Sequence, residues 1–354
     1  MTQYMHRTTS PRLVSLATAV PQYRVSQDDI VAMTARAFDR EKSEIERLLP
    51  VFGNAGIDTR HFCMPGDWYL APHGWAERSR LYVEHAVNLL SEVALKCLDD
   101  AGCKVADVDA IVTVSTTGIC TPSLDALVME RLGMRRDTHR LPLFGLGCAG
   151  GVIGLSRAAE MAAVQPGRRV LLLVVELCSL TFRFGDQSKS NIVAAALFGD
   201  GAAGMLINGA GDGPILGDSG EHTWPDSLDV MGWQVEEDGL GVLFSRDIPF
   251  LVRREFRPAV DAFLSCRQLR WQDLAGFICH PGGAKVMDAL EEALGGASTT
   301  MRTARDVLRD FGNMSAVTVL FVLKRLLGNC RPGRYLMSAL GPGFTAGFQL
   351  MQVT

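Results

Sequence analysis

The sequence predicts an α/β protein, and three observations carry the prediction. Short β-branched runs, Val170 to Val175 and Gly204 to Ile207, alternate with a helical pattern from Ala149 to Val164. The same alternation returns from Gly276 onward. The chain has 354 residues, 47% of them hydrophobic, which suffices for two domains or one duplicated architecture.

In chain order, the first strong element is an amphipathic helix over roughly 79–101. Leu81, Val83, Val87, Leu90, Val93 and Leu98 fall near helical spacing there, which reads as a helix packed on a core. Leu141 to Ala163 then reads as strand, glycine turn and helix, and Val170 to Glu176 as a buried strand. The glycine-rich stretch Asn208 to Ile215 marks the boundary between two halves, 1–210 and 211–354. In the second half Gly276 to His280 predicts a short buried strand and Ala284 to Leu294 a helix. Ala316 to Leu327 predicts another helix and Tyr335 to Leu340 a closing strand. No short-period repeat is visible.

Composition excludes several functions. A net charge of -4 leaves no basic footprint for nucleic acid. The nine cysteines are an odd number without C-x-x-C pairs, and the N-terminus lacks an apolar signal segment. That pattern predicts a reduced, cytoplasmic protein without structural zinc. No apolar run is long enough to span a membrane.

The turn Gly145-Leu-Gly147-Cys148-Ala-Gly150 can be read in two ways. As G-x-G-x-x-G between strand and helix it fits a dinucleotide fingerprint, and Glu176 closes the following strand where an acid is required. A second match, Gly199 to Gly204, runs into a strand-like segment with no helix after it, so the pattern is weak in this chain. The other reading is a nucleophile. A thiol at the first turn of a helix faces unpaired N–H groups and the positive end of the macrodipole, both of which favour thiolate.

A nucleophile needs a base and a polar partner. Cys279-His280-Pro281-Gly282-Gly283 ends a strand before a helix, and Phe311-Gly312-Asn313-Met314-Ser315 precedes another helix. Taken singly, Cys148 is ordinary packing, His280 a turn residue and Asn313 a helix cap. Together, each beside glycine, they fit one site at the C-terminal edges of strands. Cys, His and Asn in that order also describe papain-like proteases, but those place the cysteine near the mature N-terminus in a C-G-[SA]-C-[WY] signature. Cys148 lies mid-chain in GLGCAGG, so that reading fails.

These segments resemble the type III polyketide synthases, the chalcone and stilbene synthase group within the thiolase fold. The carriers are GLGCAGG around Cys148, CHPGGAKV around His280, FGNMSAV around Asn313, ALFGDGAAG (196–204) and SALGPGFT (338–345). The resemblance implies two similar halves in a five-layered αβαβα arrangement. Cys148 would come from the first half, His280 and Asn313 from the second. It implies an acyltransferase in which Cys148 takes a starter acyl group from CoA. His280 would stabilise the thiolate and, with Asn313, the enolate formed when malonyl-CoA decarboxylates. No metal or cofactor is expected, the CoA thioesters being substrates, and a homodimer is expected.

The resemblance also implies a substrate pocket containing Phe198 and Phe244 as gating phenylalanines, with Thr117, Cys120, Thr121, Cys178, Thr181, Ser315, Gly341, Pro342 and Gly343. Arg47, Arg60 and Lys285 are the candidates for the CoA phosphates, in a cluster thinned by Pro50 and Asn54, where basic residues are common. The chain departs from the plant pattern in CAGG for CFAGG, in ALGPG for GFGPG, and at Thr121 and Cys178. With WYLAPHGWAERSRLYVEHA (68–86), these departures look most like bacterial members that make alkylresorcinols and alkylpyrones from fatty acyl starters. An initiating 3-oxoacyl-(acyl-carrier-protein) synthase and a non-catalytic dinucleotide-binding module remain the alternatives.

Overall fold

Alternate residues of the apolar run Val170 to Val175 serve two different cores. Val170, Leu172 and Val174 pack into the centre of the molecule, while Leu171, Leu173 and Val175 pack against a long outer helix. Burial on both faces explains why this strand reads as a continuous hydrophobic run instead of an alternating one. The computed structural model describes residues 10–37, 50–209, 211–296 and 299–354.

The first half contributes β1 (Arg12–Ala19), β4 (Ala110–Val114), β5 (His139–Leu143), β6 (Arg169–Leu177) and β7 (Asp200–Asn208). They lie in the order β5-β4-β6-β7-β1. The second half contributes β8 (Ile215–Thr223), β11 (Gly276–Cys279), β12 (Gly333–Gly341) and β13 (Thr345–Val353), in the order β11-β12-β13-β8. Two ribbons complete the strands, β2 (Tyr23–Ser26) with β3 (Thr59–Phe62) and β9 (Met231–Val235) with β10 (Leu240–Phe244). The helices are α1 (Gln27–Ala37), α2 (Trp75–Asp100), α3 (Leu124–Leu132), α4 (Gly150–Ala163), α5 (Lys189–Leu197), α6 (Arg257–Ser265), α7 (Ala284–Leu294), α8 (Thr299–Phe311) and α9 (Thr318–Leu327).

The two sets of strands repeat one another. β4 runs parallel to β6, β6 antiparallel to β7, and β7 antiparallel to β1. In the second half β11 runs parallel to β12, β12 antiparallel to β13, and β13 antiparallel to β8. Among the described residues only a counterpart of β5 is lacking. The halves meet where β1 and β8 pair at Arg12 and Ile215. Both central helices follow the same plan, a 3-10 turn leading into a buried helix, with Gly147–Ala149 before α4 and Ser315–Val317 before α9.

The layers follow from this duplication. Helix α2 covers one face of the first sheet, α4 and α9 fill the space between the sheets, and α6 lies on the second sheet, where Phe263 stacks on Phe348 at 5.0 Å. This is the thiolase-like arrangement. Helix α4 approaches its neighbours closely because it is rich in glycine. A Cβ on Gly151 would stand 2.2 Å from the carbonyl oxygen of Ala316. Gly147, Gly150, Gly151 and Gly154 therefore serve close packing.

Helix α2 begins at Trp75, earlier than the periodicity suggests, because the Trp75 indole N–H is held by the Glu236 carbonyl at 2.7 Å. The segment expected as one helix from Ala316 starts as the 3-10 turn. Helix α7 matches its expected bounds.

Candidate active site

Cys148 sits in the 3-10 turn at the head of α4. The turn is specific to glycine at Gly147, whose φ is +48° and whose missing Cβ would lie 2.5 Å from Pro342 Cδ. Its N–H donates to Thr116 Oγ1 at 3.1 Å. His280 follows β11, held by its backbone N–H to the Ser338 carbonyl at 3.0 Å. Asn313 lies between α8 and the Ser315–Val317 turn, and its backbone pairs with Leu197 and Gly199 on either side of Phe198. All three side chains line one cavity of about 580 Å³, walled by Leu197, Phe244, Ile248, Phe256 and Leu340 among others. That volume suits a small-molecule substrate.

The duplication explains this convergence. Cys148 comes from the turn before α4 and Asn313 from the segment before α9, and the two helix starts touch where Gly151 meets Ala316. Two helix starts thus meet at the cysteine turn, an arrangement that favours negative charge there.

The side chains have chemically distinct states. Asn313 Oδ1 accepts from the Ser315 backbone N–H at 2.8 Å, and its Nδ2 donates to the Gly282 carbonyl at 3.0 Å. This fixes the amide orientation and leaves one N–H for a ligand. Both ring nitrogens of His280 are buried with no hydrogen-bond partner among the described residues. A buried imidazole without partners is costly unless a ligand supplies them. Burial lowers the His280 imidazole to about 3 and pushes the Cys148 thiol up to about 12. Burial thus works against the thiolate and imidazolium expected from the sequence and opposes the favourable helix termini.

The thiol's own partner is Ser315. Cys148 Sγ donates to Ser315 Oγ at 3.7 Å, and Ser315 Oγ donates to Glu176 Oε1 at 3.3 Å. Ser315 has φ +46°, an uncommon conformation for a residue with a side chain, and so holds this bridge at some backbone cost. Glu176 Oε2 accepts from the N–H groups of Thr116 and Thr117 at 3.0 and 3.1 Å and from Thr117 Oγ1 at 2.8 Å. Burial pushes this carboxyl up to about 7, partly offset by those donors. The chain Cys148, Ser315, Glu176 can accept and return a proton near neutral pH. Sequence reading noticed Glu176 only as the acid of a dinucleotide motif. It is fully buried and saturated by donors, so it offers nothing to a ribose.

The expected pocket residues divide. Phe244 lines the main cavity, while Phe198, Cys178 and Thr181 line a second, apolar chamber of about 40 Å³ with Ile30, Met33 and Ala37 of α1. The rings of Phe198 and Phe244 lie 5.8 Å apart between the two spaces. Thr117, Cys120, Thr121, Ser315, Gly341, Pro342 and Gly343 line neither cavity. Thr117 is spent on Glu176 and on the Leu177 N–H. Gly341 and Pro342 press against the cysteine turn as its support, with Gly343 in the turn that follows. Thr121 is exposed on a surface loop beside Cys120.

The basic candidates need a clear correction. Arg47 lies outside the described residues. Arg60 is fully buried and cannot meet CoA at a mouth. Its guanidinium donates to the carbonyls of Ala195, Ala196 and Phe198 at 3.0, 2.9 and 3.1 Å and to Gln27, fastening the end of α5. Lys285 is exposed and lines the cavity. Lys189 and Arg246, which the sequence did not single out, do the same. None of these three cations has an ion-pair partner among the described residues, so all three remain available for phosphates.

Comparison with known proteins agrees with this geometry. The family model "Chalcone and stilbene synthases, N-terminal domain" matches residues 3–212, and its C-terminal counterpart matches residues 218–351. A "Putative chalcone synthase" of Bacillus subtilis is 37% identical over 351 residues, covering 94% of this chain and 96% of the relative. A 1,3,6,8-tetrahydroxynaphthalene synthase of Streptomyces peucetius is 35% identical, covering 96% and 92%. Among solved structures, the 1,3,6,8-tetrahydroxynaphthalene synthase of Streptomyces coelicolor A3(2), a bacterial type III polyketide synthase, superposes with a TM-score of 0.92 at 27% identity. It covers 97% of this chain and 99% of that one. PKS-I of the brown alga Ectocarpus siliculosus superposes with a TM-score of 0.91 at 25% identity, covering 99% and 100%.

Proposed function

The chain belongs to the chalcone and stilbene synthase family and is a type III polyketide synthase that condenses malonyl-CoA, and on that premise we propose which residues act and on what starter. Cys148 carries the growing chain. Its thiol gives up a proton, attacks the starter thioester and releases CoA. Malonyl-CoA then loses carbon dioxide, and the enolate oxygen is held by one N–H of neutral His280 and the free N–H of Asn313. The enolate carbon attacks the acyl thioester on Cys148, and the lengthened chain returns to the sulfur for the next round. The observation that supports this most is the pair of partnerless His280 nitrogens in the cavity that Cys148 and Asn313 also line. Lys189, Arg246 and Lys285 hold the CoA phosphates at the mouth.

The starter is a fatty acyl group and the products are alkylpyrones or alkylresorcinols. The apolar wall of the main cavity supports this reading, as do the small side chains Cys178, Ala194 and Ala195 in the chamber beyond Phe198. A long chain reaches that chamber only if the Phe198 ring swings aside. The protein acts as a homodimer in the cytoplasm. Ile119 and Phe144, both large and exposed near Thr121 and the cysteine turn, support the pairing of first halves. Nine free thiols support a reducing compartment. The test is mass spectrometry of products from malonyl-CoA with a ladder of acyl-CoA lengths. Pyrones or resorcinols that form best with dodecanoyl and longer starters support the proposal, and preference for hexanoyl or aromatic starters removes the fatty-acyl part.

A further inference from the structure

Arg60, on β3, is fully buried and forms no ion pair among the described residues. Its guanidinium meets only uncharged acceptors, the carbonyls of Ala195, Ala196 and Phe198 and the side-chain oxygen of Gln27. Arginine is almost never fully buried without a counter-ion, and an apolar side chain would fill the same space at less desolvation cost. The guanidinium therefore answers a geometric need, since only its planar fork reaches several carbonyls at once.

That need lies in segment 195–199, which is gripped from two sides. Arg60 takes the carbonyls of Ala195, Ala196 and Phe198, while the Asn313 backbone takes the groups between and after them. The Asn313 N–H donates to the Leu197 carbonyl at 2.8 Å, and its carbonyl accepts from the Gly199 N–H at 3.0 Å. Glycines make the grip possible, for a Cβ on Gly199 would stand 3.2 Å from Arg60 Cβ and one on Gly312 3.4 Å from it. The chain at β3 is also stitched to the end of α8. The Asp58 N–H donates to the Arg309 carbonyl and Thr59 Oγ1 to the Asp310 carbonyl, both at 2.8 Å. Arg60 thus joins the two segments that fix where Asn313 sits, yet it lines neither cavity.

We propose that Arg60 is a positioning residue for malonyl-CoA decarboxylation, setting through segment 195–199 the place of the Asn313 N–H that receives the enolate oxygen. The proposal rests on the reading above that Asn313 holds the enolate. In that step the bond between the carboxylate and the α-carbon breaks, carbon dioxide leaves, and the electron pair passes into the enolate. With no acyl chain on Cys148, protonation of the enolate carbon gives acetyl-CoA. Loading of Cys148 by a starter thioester forms no malonyl enolate, so its rate should not follow Arg60.

The experiment measures both steps with the full-length protein, carbon dioxide release from malonyl-CoA alone and the rate of the dodecanoyl-CoA adduct on Cys148 by rapid-quench intact-protein mass spectrometry. Arg60→Lys keeps the charge but loses the fork. It should lower kcat for decarboxylation by about tenfold or more, with KM for malonyl-CoA and the loading rate within about twofold. Gln27→Ala, at the half-buried end of the same network, should lower decarboxylation by about threefold, and it decides the matter if the lysine variant does not fold. Added to Asn313→Ala, Arg60→Lys should change little, because the amide it places is gone. Equal slowing of loading and decarboxylation, or as large a loss in the Asn313→Ala background as in the wild type, makes Arg60 a general support of the fold and overturns the proposal. Unchanged decarboxylation in Arg60→Lys, or in Gln27→Ala where the lysine variant does not fold, overturns it too. If Asn313→Ala itself leaves decarboxylation intact, the enolate reading fails and the proposal falls with it.

Discussion

Replacing Glu176 with glutamine keeps the shape of the side chain and removes only its charge. In the folded protein burial moves the carboxyl from 4.5 to about 7. The folded state therefore keeps a proton that the unfolded chain releases, and the stability linked to this group is full below pH 4.5 and lost as pH rises through about 7. That displacement corresponds to about 3 kcal/mol at pH 8. Glutamine cannot ionise, so Glu176→Gln escapes the loss. Its NH₂ cannot accept, however, so the interaction with either the Thr116 and Thr117 donors or the Ser315 hydroxyl must be rearranged, at about 1 kcal/mol for each hydrogen bond lost. The net expectation is a variant about as stable as the wild type or slightly weaker at pH 5, and about 1–2 kcal/mol more stable at pH 8. Urea denaturation of both proteins at both pH values provides the measurement. Asp200, pushed up to about 6 by burial, and His280 titrate in both proteins and cancel in the double difference. A variant that differs from the wild type by the same amount at pH 5 and pH 8 would refute the electrostatic account of Glu176.

Other consequences are as direct. At pH 6 iodoacetamide should label exposed Cys266 before Cys148, because burial holds the Cys148 thiol near 12; faster labelling of Cys148 would mean a resting thiolate. Gly151→Ala should lower stability by about 1–3 kcal/mol or block folding by forcing α4 from α9, whereas Gly53→Ala, with no atom near its would-be Cβ, should change it by less than about 1 kcal/mol. Thermal melts of the two variants side by side decide that point. Phe198→Ala should join the two apolar spaces and raise affinity for longer starters by about 0.8 kcal/mol per newly buried CH₂, read from kcat/KM across an acyl-CoA ladder. An unchanged length profile would show that Phe198 does not separate the chambers.

The convergence of Cys148, His280 and Asn313 on one cavity was legible because glycine accompanies each of them, at Gly147, Gly282 and Gly312, at a junction between elements. Helix α7 was legible because its apolar positions recur at helical spacing. The duplication was legible as a strand and helix alternation returning from Gly276 and through the family resemblance, but not residue by residue, since it survives in strand order and pairing, and among the described residues the second half lacks a counterpart of β5. Glu176 looked like a motif acid because its partners Thr116, Thr117 and Ser315 come from two other segments. Arg60 was misread for the opposite reason: an arginine reads as surface, yet this one is buried by satisfying the carbonyls that end α5. Lys189 and Arg246 were invisible as mouth cations because the mouth is assembled from four segments far apart in sequence. The desolvation that opposes a thiolate at Cys148 was not legible, because a sequence displays a helix start but not what buries it.

The central claim is that Cys148 holds the chain while CoA thioesters supply it. Incubation with dodecanoyl-CoA, then malonyl-CoA, followed by peptide mapping and mass spectrometry, addresses it most directly. The account predicts a dodecanoyl adduct on the peptide containing Cys148 that grows by two-carbon keto units once malonyl-CoA is added, and no adduct or product from Cys148→Ala. An adduct on another cysteine, or products from the alanine variant at the wild-type rate, would contradict it.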